Sequence, residues 1–155
     1  MEYTIPVFEN IWLADDDPDD REIFEDAITQ IIPTVSLTML TIGEEVISLI
    51  DSGKLPDILF LDISMSYNGF DCLQEIRDVR KLKKLPIVIF SSSVHPRDID
   101  ASYGFGANLF YRKPSSFSEL IKGLSYLFQM NWNDPYTITS NHFVNNKFIP
   151  FLAAG

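Results

Sequence analysis

A chain of 155 residues, 46% hydrophobic, is sized for one domain and can bury a substantial core, which excludes a disordered chain. Twelve basic against 22 acidic residues give a net charge of −10, so a nucleic-acid binder that needs a basic face is disfavoured, while cations and basic partner surfaces stay open. A single cysteine, Cys72, excludes an internal disulfide framework and a cysteine-rich zinc site, and the two histidines, His95 and His142, are too far apart for a metal motif.

The N-terminal stretch "MEYTIPVFEN" lacks the basic start and apolar core of a signal peptide, and no stretch approaches the roughly 18 apolar residues of a membrane span. The expectation is a soluble cytoplasmic protein, with neither membrane nor nucleic acid as partner.

In chain order, "NIWLA" (10–14) reads as a buried strand. Asp17 is a good helix N-cap and Pro18 suits the first helical position. Ile23, Phe24, Ala27, Ile28 and Ile31 then recur at helical spacing, with Pro33 just beyond. "VSLTML" (35–40) reads as a strand and residues 43–53 as a helix stopped by Gly53. "DILFLD" (57–62) is an apolar strand ending in a charge, followed by a helix over 70–79. "PIVIFSS" (86–92), a short helix over 96–106, "ANLFYRK" (107–113) and a helix over 116–130 complete the series. Five β/α units with strands apolar on both faces predict an α/β fold, a parallel sheet covered by helices on each side.

In such sheets ligands bind beyond the carboxyl ends of the strands. The first strand ends in Asp15 and Asp16, the third in Asp62, the fourth in Ser91 and Ser92, and the fifth in Lys113. Three carboxylates, a hydroxyl and an ammonium therefore converge at one sheet edge. The carboxylates suit a hard cation, with Mg²⁺ the natural choice. The hydroxyl and the ammonium suit an anion such as a phosphoryl group.

These residues resemble the receiver domain of two-component response regulators. The matching stretches are "IWLADDDPDDREIF", "PDILFLDISMSYNGFDCLQEIR", "LPIVIFSSS" and "GANLFYRKP", spanning about residues 9 to 130. Each alone is a weak signal; all four in this order are highly specific. The resemblance implies the doubly wound, flavodoxin-like strand order 2-1-3-4-5. It implies that Asp62 is the phosphoacceptor and that Asp16 and Asp62 bind Mg²⁺ directly, with the backbone carbonyl of Ser64 as a third ligand and Asp15 acting through a metal-bound water. It implies further that Ser91 and Lys113 bind the phosphoryl group, that Ser92 leaves it room, that Phe110 is a switch aromatic and that the Lys113–Pro114 bond is cis. Ser64 and Ser93 fall where the family tunes phosphoryl lifetime; neither supplies an amide or acid to position water, so a comparatively long-lived phosphorylated state is expected. Ser66 stands where many members have proline.

Other residues have plainer readings. Asp17 caps a helix, and Asp19 and Asp20 lie in its first turn, where negative charge meets the positive end of the helix dipole. Cys72 reads as a buried apolar residue and His95 as a loop or cap residue. The segment 131–155 is too short for a second domain, yet Tyr136, Phe143, Phe148, Ile149 and Phe151 favour docking on the domain or on another copy.

The resulting expectation is a receiver domain over 1–130 with a tail over 131–155 and no output domain. It would be a single-domain regulator, not a turnover enzyme, phosphorylated by a sensor histidine kinase or phosphotransfer protein and signalling to an unknown downstream protein. A homodimer through the fourth helix, fifth strand and fifth helix, or through the tail, stays open. Two alternatives remain beside it: a phosphatase of the haloacid dehalogenase type, which wants an aspartate where Ser64 stands, and a degenerate receiver serving only as an interaction module.

Overall fold

The computed structural model describes residues 8–65 and 69–152. Ser66 lies outside them. Five parallel strands, β1 (Asn10–Ala14), β2 (Ser36–Leu40), β3 (Ile58–Leu61), β4 (Ile87–Ser91) and β5 (Leu109–Arg112), form one sheet in the order β2-β1-β3-β4-β5. Five helices connect and follow them: α1 (Pro18–Ile31), α2 (Gly43–Asp51), α3 (Gly69–Asp78), α4 (Pro96–Gly104) and α5 (Phe117–Phe128). Beyond these lie a short helix α6 (Pro135–Asn141) and a hairpin of β6 (Phe143–Val144) and β7 (Lys147–Phe148).

β1, β3, β4 and β5 are buried on both faces because side chains alternate between two cores, while the edge strand β2 is half-buried. Ile11, Leu13, Ile58, Phe60, Val88, Phe90, Leu109 and Tyr111 meet Phe24, Ala27 and Ile28 of α1 and Leu120, Leu124 and Leu127 of α5. Trp12, Ala14, Leu59, Leu61, Ile87, Ile89 and Phe110 meet Val46 of α2, Cys72, Leu73 and Ile76 of α3 and Tyr103 of α4. Apolar runs of this kind can sit only in the middle layer of a three-layer fold, which is why they were readable as strands.

The helix starts follow local chemistry. Asp17 accepts from the amides of Asp19 (2.9 Å) and Asp20 (3.3 Å), with Pro18 in the first turn, as expected from the sequence. His95 caps α4 by accepting from the Arg97 amide. Cys72 is fully buried, and burial pushes its thiol up to about 12, so it behaves as a small apolar side chain.

The tail packs on its own domain. Trp132, Ile138 and Phe151 are buried in the α1/α5-side core, while Tyr136 and Phe143 stay exposed. Asn145 and Asn146 take φ of 54° and 60°, the left-handed pair that a two-residue hairpin turn requires and that asparagine tolerates. The sequence reading saw the aromatic excess here but not the helix and hairpin that arrange it.

One expectation is corrected. The Lys113–Pro114 bond is trans, since no cis peptide occurs among the described residues. Trans is the ground state for X–Pro by about 0.5–1 kcal/mol. Nothing here opposes it: the Lys113 amide donates to the Ser91 carbonyl (2.8 Å) and its ammonium still reaches the acidic cluster.

Candidate functional site

The sheet register brings the strand ends together. Asp15 follows β1 and its amide donates to the Leu40 carbonyl; Asp62 follows β3 and its amide donates to the Ala14 carbonyl, both at 2.9 Å. These two bonds continue the parallel ladders one residue past the strands and hold both carboxylates side by side. Carboxylate oxygens of Asp15, Asp16 and Asp62 all lie within 4.8 Å of one another. Asp15 is fully buried and Asp62 is 3% exposed, whereas Asp16 faces solvent.

Lys113, just beyond β5, closes the cluster. Its Nζ lies 2.7 Å from Asp15, 2.7 Å from Asp20 and 3.0 Å from Asp62, and 5.7 Å from the centre of the Phe90 ring. Burial disfavours its charge, but the carboxylate bonds, led by Asp15 and Asp20, prevail and hold the ammonium above its ordinary range. For Asp15 burial is the largest influence and raises its carboxyl, against the opposing bonds from Lys113 and the Asp17 amide. Three carboxylates share this ammonium and Asp16 lies beside Asp15 and Asp62, which leaves an excess of negative charge in a half-buried mouth. An all-oxygen donor set with that excess fits a hard divalent cation.

The loops around this mouth are tightly placed. The Ser64 amide donates to Asp62 (2.9 Å), and Arg21 donates to the Asp15 carbonyl (2.9 Å). At Gly69, the start of α3, a Cβ would lie 2.5 Å from the Asp62 carbonyl oxygen and 2.7 Å from Ile63 Cα. Only glycine lets α3 approach the loop after Asp62 this closely. Ser91 ends β4 fully buried, its Oγ accepting from the Ser93 amide (3.2 Å). The Ser93 hydroxyl in turn donates to Asp98 of α4 (2.6 Å). Ser92 is exposed beside them, and Phe110 is fully buried in the α2/α3/α4-side core.

Asp15, Asp16, Asp62 and Lys113 therefore meet as expected. Two contributors were not anticipated. Asp20 is more than a charge at a helix end: the first turn of α1 lies over the mouth and delivers its carboxylate to Lys113. Gly69 was passed over although a glycine opening a helix, where alanine is the better helix former, was a legible signal.

Residues 11–125 match the family model of the response regulator receiver domain, and the chain belongs to that family. It is a receiver domain of the two-component systems, with the flavodoxin-like fold of the chemotaxis-type regulators. It is 28% identical over 120 residues to an uncharacterized 14.6 kDa protein of Leptolyngbya boryana, covering 73% of this chain and 85% of that one. Response regulator Rcp1 of Synechocystis is 27% identical over 73 residues, 46% of this chain and half the length of that protein. The Mn²⁺-bound crystal form of Rcp1 superposes with a TM-score of 0.65 at 22% identity, covering 76% of this chain and 89% of that one. The phosphorylated form of the cyanobacterial phytochrome response regulator RcpA superposes with a TM-score of 0.72 at 23% identity, covering 78% and 91%.

Among the described residues, no helix is long and apolar enough to cross a membrane. Receiver domains bind Mg²⁺ at an acidic cluster and interact with histidine kinases or phosphotransfer proteins, and this chain carries the corresponding cluster in Asp15, Asp16 and Asp62.

Proposed function

We propose that this protein accepts a phosphoryl group on Asp62 from a histidine kinase or phosphotransfer protein in the cytoplasm and signals through the surface change that follows. The observation that carries this reading is the Asp62 carboxylate, nearly buried, held 3.0 Å from Lys113 Nζ inside a cluster of hard oxygen donors. A carboxylate oxygen of Asp62 attacks phosphorus and forms the new P–O bond. The bond from phosphorus to the donor breaks, and the donor group leaves with that electron pair. Attack by one anion on another is opposed by charge, and Lys113 offsets part of that opposition.

Asp15, Asp16 and Asp62, with the Ser64 carbonyl, would hold Mg²⁺, which supplies further charge neutralisation at the transferring group when bound. Asp15 would support the ion from beside it rather than as a direct ligand. Ser91 turns its hydroxyl to the phosphoryl oxygens, Ser92 leaves space, and Phe110 follows Ser91 by packing alone, because a phenyl ring has no hydroxyl to offer. The phosphorylated protein is the signalling product, not an intermediate of turnover. The output partner is a protein, with homodimer formation through α4, β5 and α5 or through the tail still open.

Incubation with Mg²⁺ and acetyl phosphate is expected to add the mass of one phosphoryl group, and Asp62→Asn to abolish it. Steady hydrolysis of a phosphoester, or no adduct at all, would overturn the reading. Ser64 and Ser93 set a slow decay: the Ser93 hydroxyl is engaged by Asp98 rather than offered to water. Ser64→Asn is expected to shorten the adduct's half-life in a mass-spectrometric time course.

A further inference from the structure

The edge strand of the sheet is already occupied. β5 lies at the end of the strand order, with one side open for pairing. The Phe151 amide donates to the Phe110 carbonyl on that side (2.7 Å). The Phe110 amide donates to the Tyr103 hydroxyl (3.1 Å), which itself donates to the Ile149 carbonyl (2.8 Å). Thus the tail satisfies the Phe110 carbonyl directly, and Tyr103, whose hydroxyl the tail anchors, satisfies the Phe110 amide.

Side chains reinforce the contact. Phe148 stacks on Tyr103 with ring centres 4.8 Å apart and planes 12° apart. Phe151 meets Tyr111 edge-on at 5.1 Å and is 4% exposed. At the start of β5, Thr139 of α6 donates to the Asn108 carbonyl (3.1 Å). The hairpin turn at Asn145 and Asn146 reverses the chain so that residues 148–151 can lie along β5.

The same strand carries the site. Arg112 pairs with Ser91, and Lys113 follows it. A second line of contacts runs from Ser91 to Tyr103. Ser91 Oγ accepts from the Ser93 amide; Ser93 Oγ donates to Asp98 in the first turn of α4; Tyr103 stands in the last turn of that helix. If Ser91 turns its hydroxyl to a phosphoryl group, the Ser93 amide loses its acceptor. The 92–95 loop and α4 then lose the position that aims Tyr103 at Ile149.

We propose that residues 147–152 are a built-in ligand of the β5 edge, held while Asp62 is unmodified and released when it is phosphorylated. Release uncovers Tyr103, Tyr111 and the carbonyl of Phe110. That surface fits an extended segment of a partner protein with aromatic side chains spaced like Phe148 and Phe151, added as a further strand. The proposal rests on the acceptor reading for its trigger, and on the tail contacts alone for its starting state.

Hydrogen exchange on the full chain, read by mass spectrometry, tests both. In the unmodified protein residues 147–152 are expected to be protected, and Phe151→Ala to expose them by about tenfold or more. Tyr103→Phe, which removes one hydroxyl, is a gentler variant that keeps the ring and should expose them in part. Exchange in the wild type as fast as in Phe151→Ala overturns the docked state. After Mg²⁺ and acetyl phosphate, with the adduct verified by mass, exchange at 147–152 is expected to rise about tenfold. An unchanged rate on verified adduct overturns release while leaving the acceptor reading intact. No adduct overturns the acceptor reading, and the trigger with it, whatever the first arm shows. Ser93→Ala cuts the line from Ser91 to Tyr103 and should raise exchange at 147–152 before phosphorylation, leaving a smaller further rise with the adduct; wild-type protection before it and a full rise after it overturn the route through α4.

Discussion

At the carboxyl end of the sheet three carboxylates bond one ammonium, and a fourth, Asp16, lies beside two of them. Along the β5 edge, a few ångströms down the same strand, the tail supplies a donor for the Phe110 carbonyl, an acceptor for the Tyr103 hydroxyl and rings for both flanking tyrosines. The first region holds an excess of negative charge that an added cation would offset. The second pairs the Phe110 backbone and the Tyr103 hydroxyl within the chain and leaves the buried Tyr111 hydroxyl without a hydrogen-bond partner among the described residues. The proposed acceptor site is thus electrostatically unfinished, whereas the β5 edge draws most of its partners from within the chain.

The largest effect that tests this contrast is at Lys113. Lys113→Met removes the sole ammonium facing the acceptor among the described residues while keeping an aliphatic stem. Loss of one preorganised charge partner costs about 10²–10³ in rate. Phosphoryl uptake from acetyl phosphate, followed by intact mass, should fall by that order while tail protection is kept. If uptake survives unchanged, the cluster is not the acceptor mouth.

Phe151→Ala attacks the second region. Truncating a buried phenylalanine costs about 3 kcal/mol where the site cannot collapse. Urea unfolding should show that loss, or an early transition confined to the tail, with uptake of the phosphoryl group intact. Wild-type stability in this variant would mean that the aromatic contacts carry no weight.

Mg²⁺ alone separates the regions next. A ligand that binds only the folded state at 100 times its dissociation constant adds about 2.7 kcal/mol. Thermal melts should rise with Mg²⁺ in the wild type and in Phe151→Ala alike, and fail to rise in Asp16→Asn. Equal stabilisation of all three would place the cation elsewhere.

The tail region shares the alkaline limit with Cys72 and Lys113, whose folded values are also raised. Burial pushes the Tyr111 hydroxyl up to about 12 and raises Tyr103 as well. A group whose folded value lies above its unfolded one contributes stability that is present below the unfolded value, about 10, and is lost as pH rises through the folded one. Stability should therefore decline between about pH 10 and 12. Tyr103→Phe should flatten part of that decline in pH-dependent urea midpoints.

Much of this was legible beforehand for a physical reason. Strands buried on both faces must be apolar, and Asp15, Asp62 and Lys113 stand out because each interrupts such a run at the same end. Asp17 and Pro18 mark a helix start by local chemistry alone. What was not legible depends on reach across the fold. Asp20 is separated from Lys113 by 93 positions, and only the lie of α1 over the mouth joins them. The Tyr103 hydroxyl serves Phe110 and Ile149 because α4 and the tail converge on β5, which no local pattern encodes. The Asn145–Asn146 pair did carry a local turn signal, and with it the hairpin could have been drawn.

Asp20 gives the smallest effect and the finest test of the electrostatic picture. Its oxygen lies 2.7 Å from Lys113 Nζ, and the oxygens of Asp15 and Asp62 bonded to the same nitrogen can be no more than about twice that distance away. One attraction at a given distance and two repulsions at twice it nearly cancel under Coulomb's law, and the one-third exposure of Asp20 screens all three. Asp20→Asn should therefore shift metal-free stability by less than about 1 kcal/mol. The same substitution removes a negative charge from the mouth, so Mg²⁺ should bind more weakly, and Lys113 loses a competitor of the phosphoryl group. Mg²⁺ titration and adduct decay on one variant read these two consequences separately. A large loss of metal-free stability would mean that Asp20 is a structural anchor of Lys113, and that the mouth is less unfinished than its charge count implies.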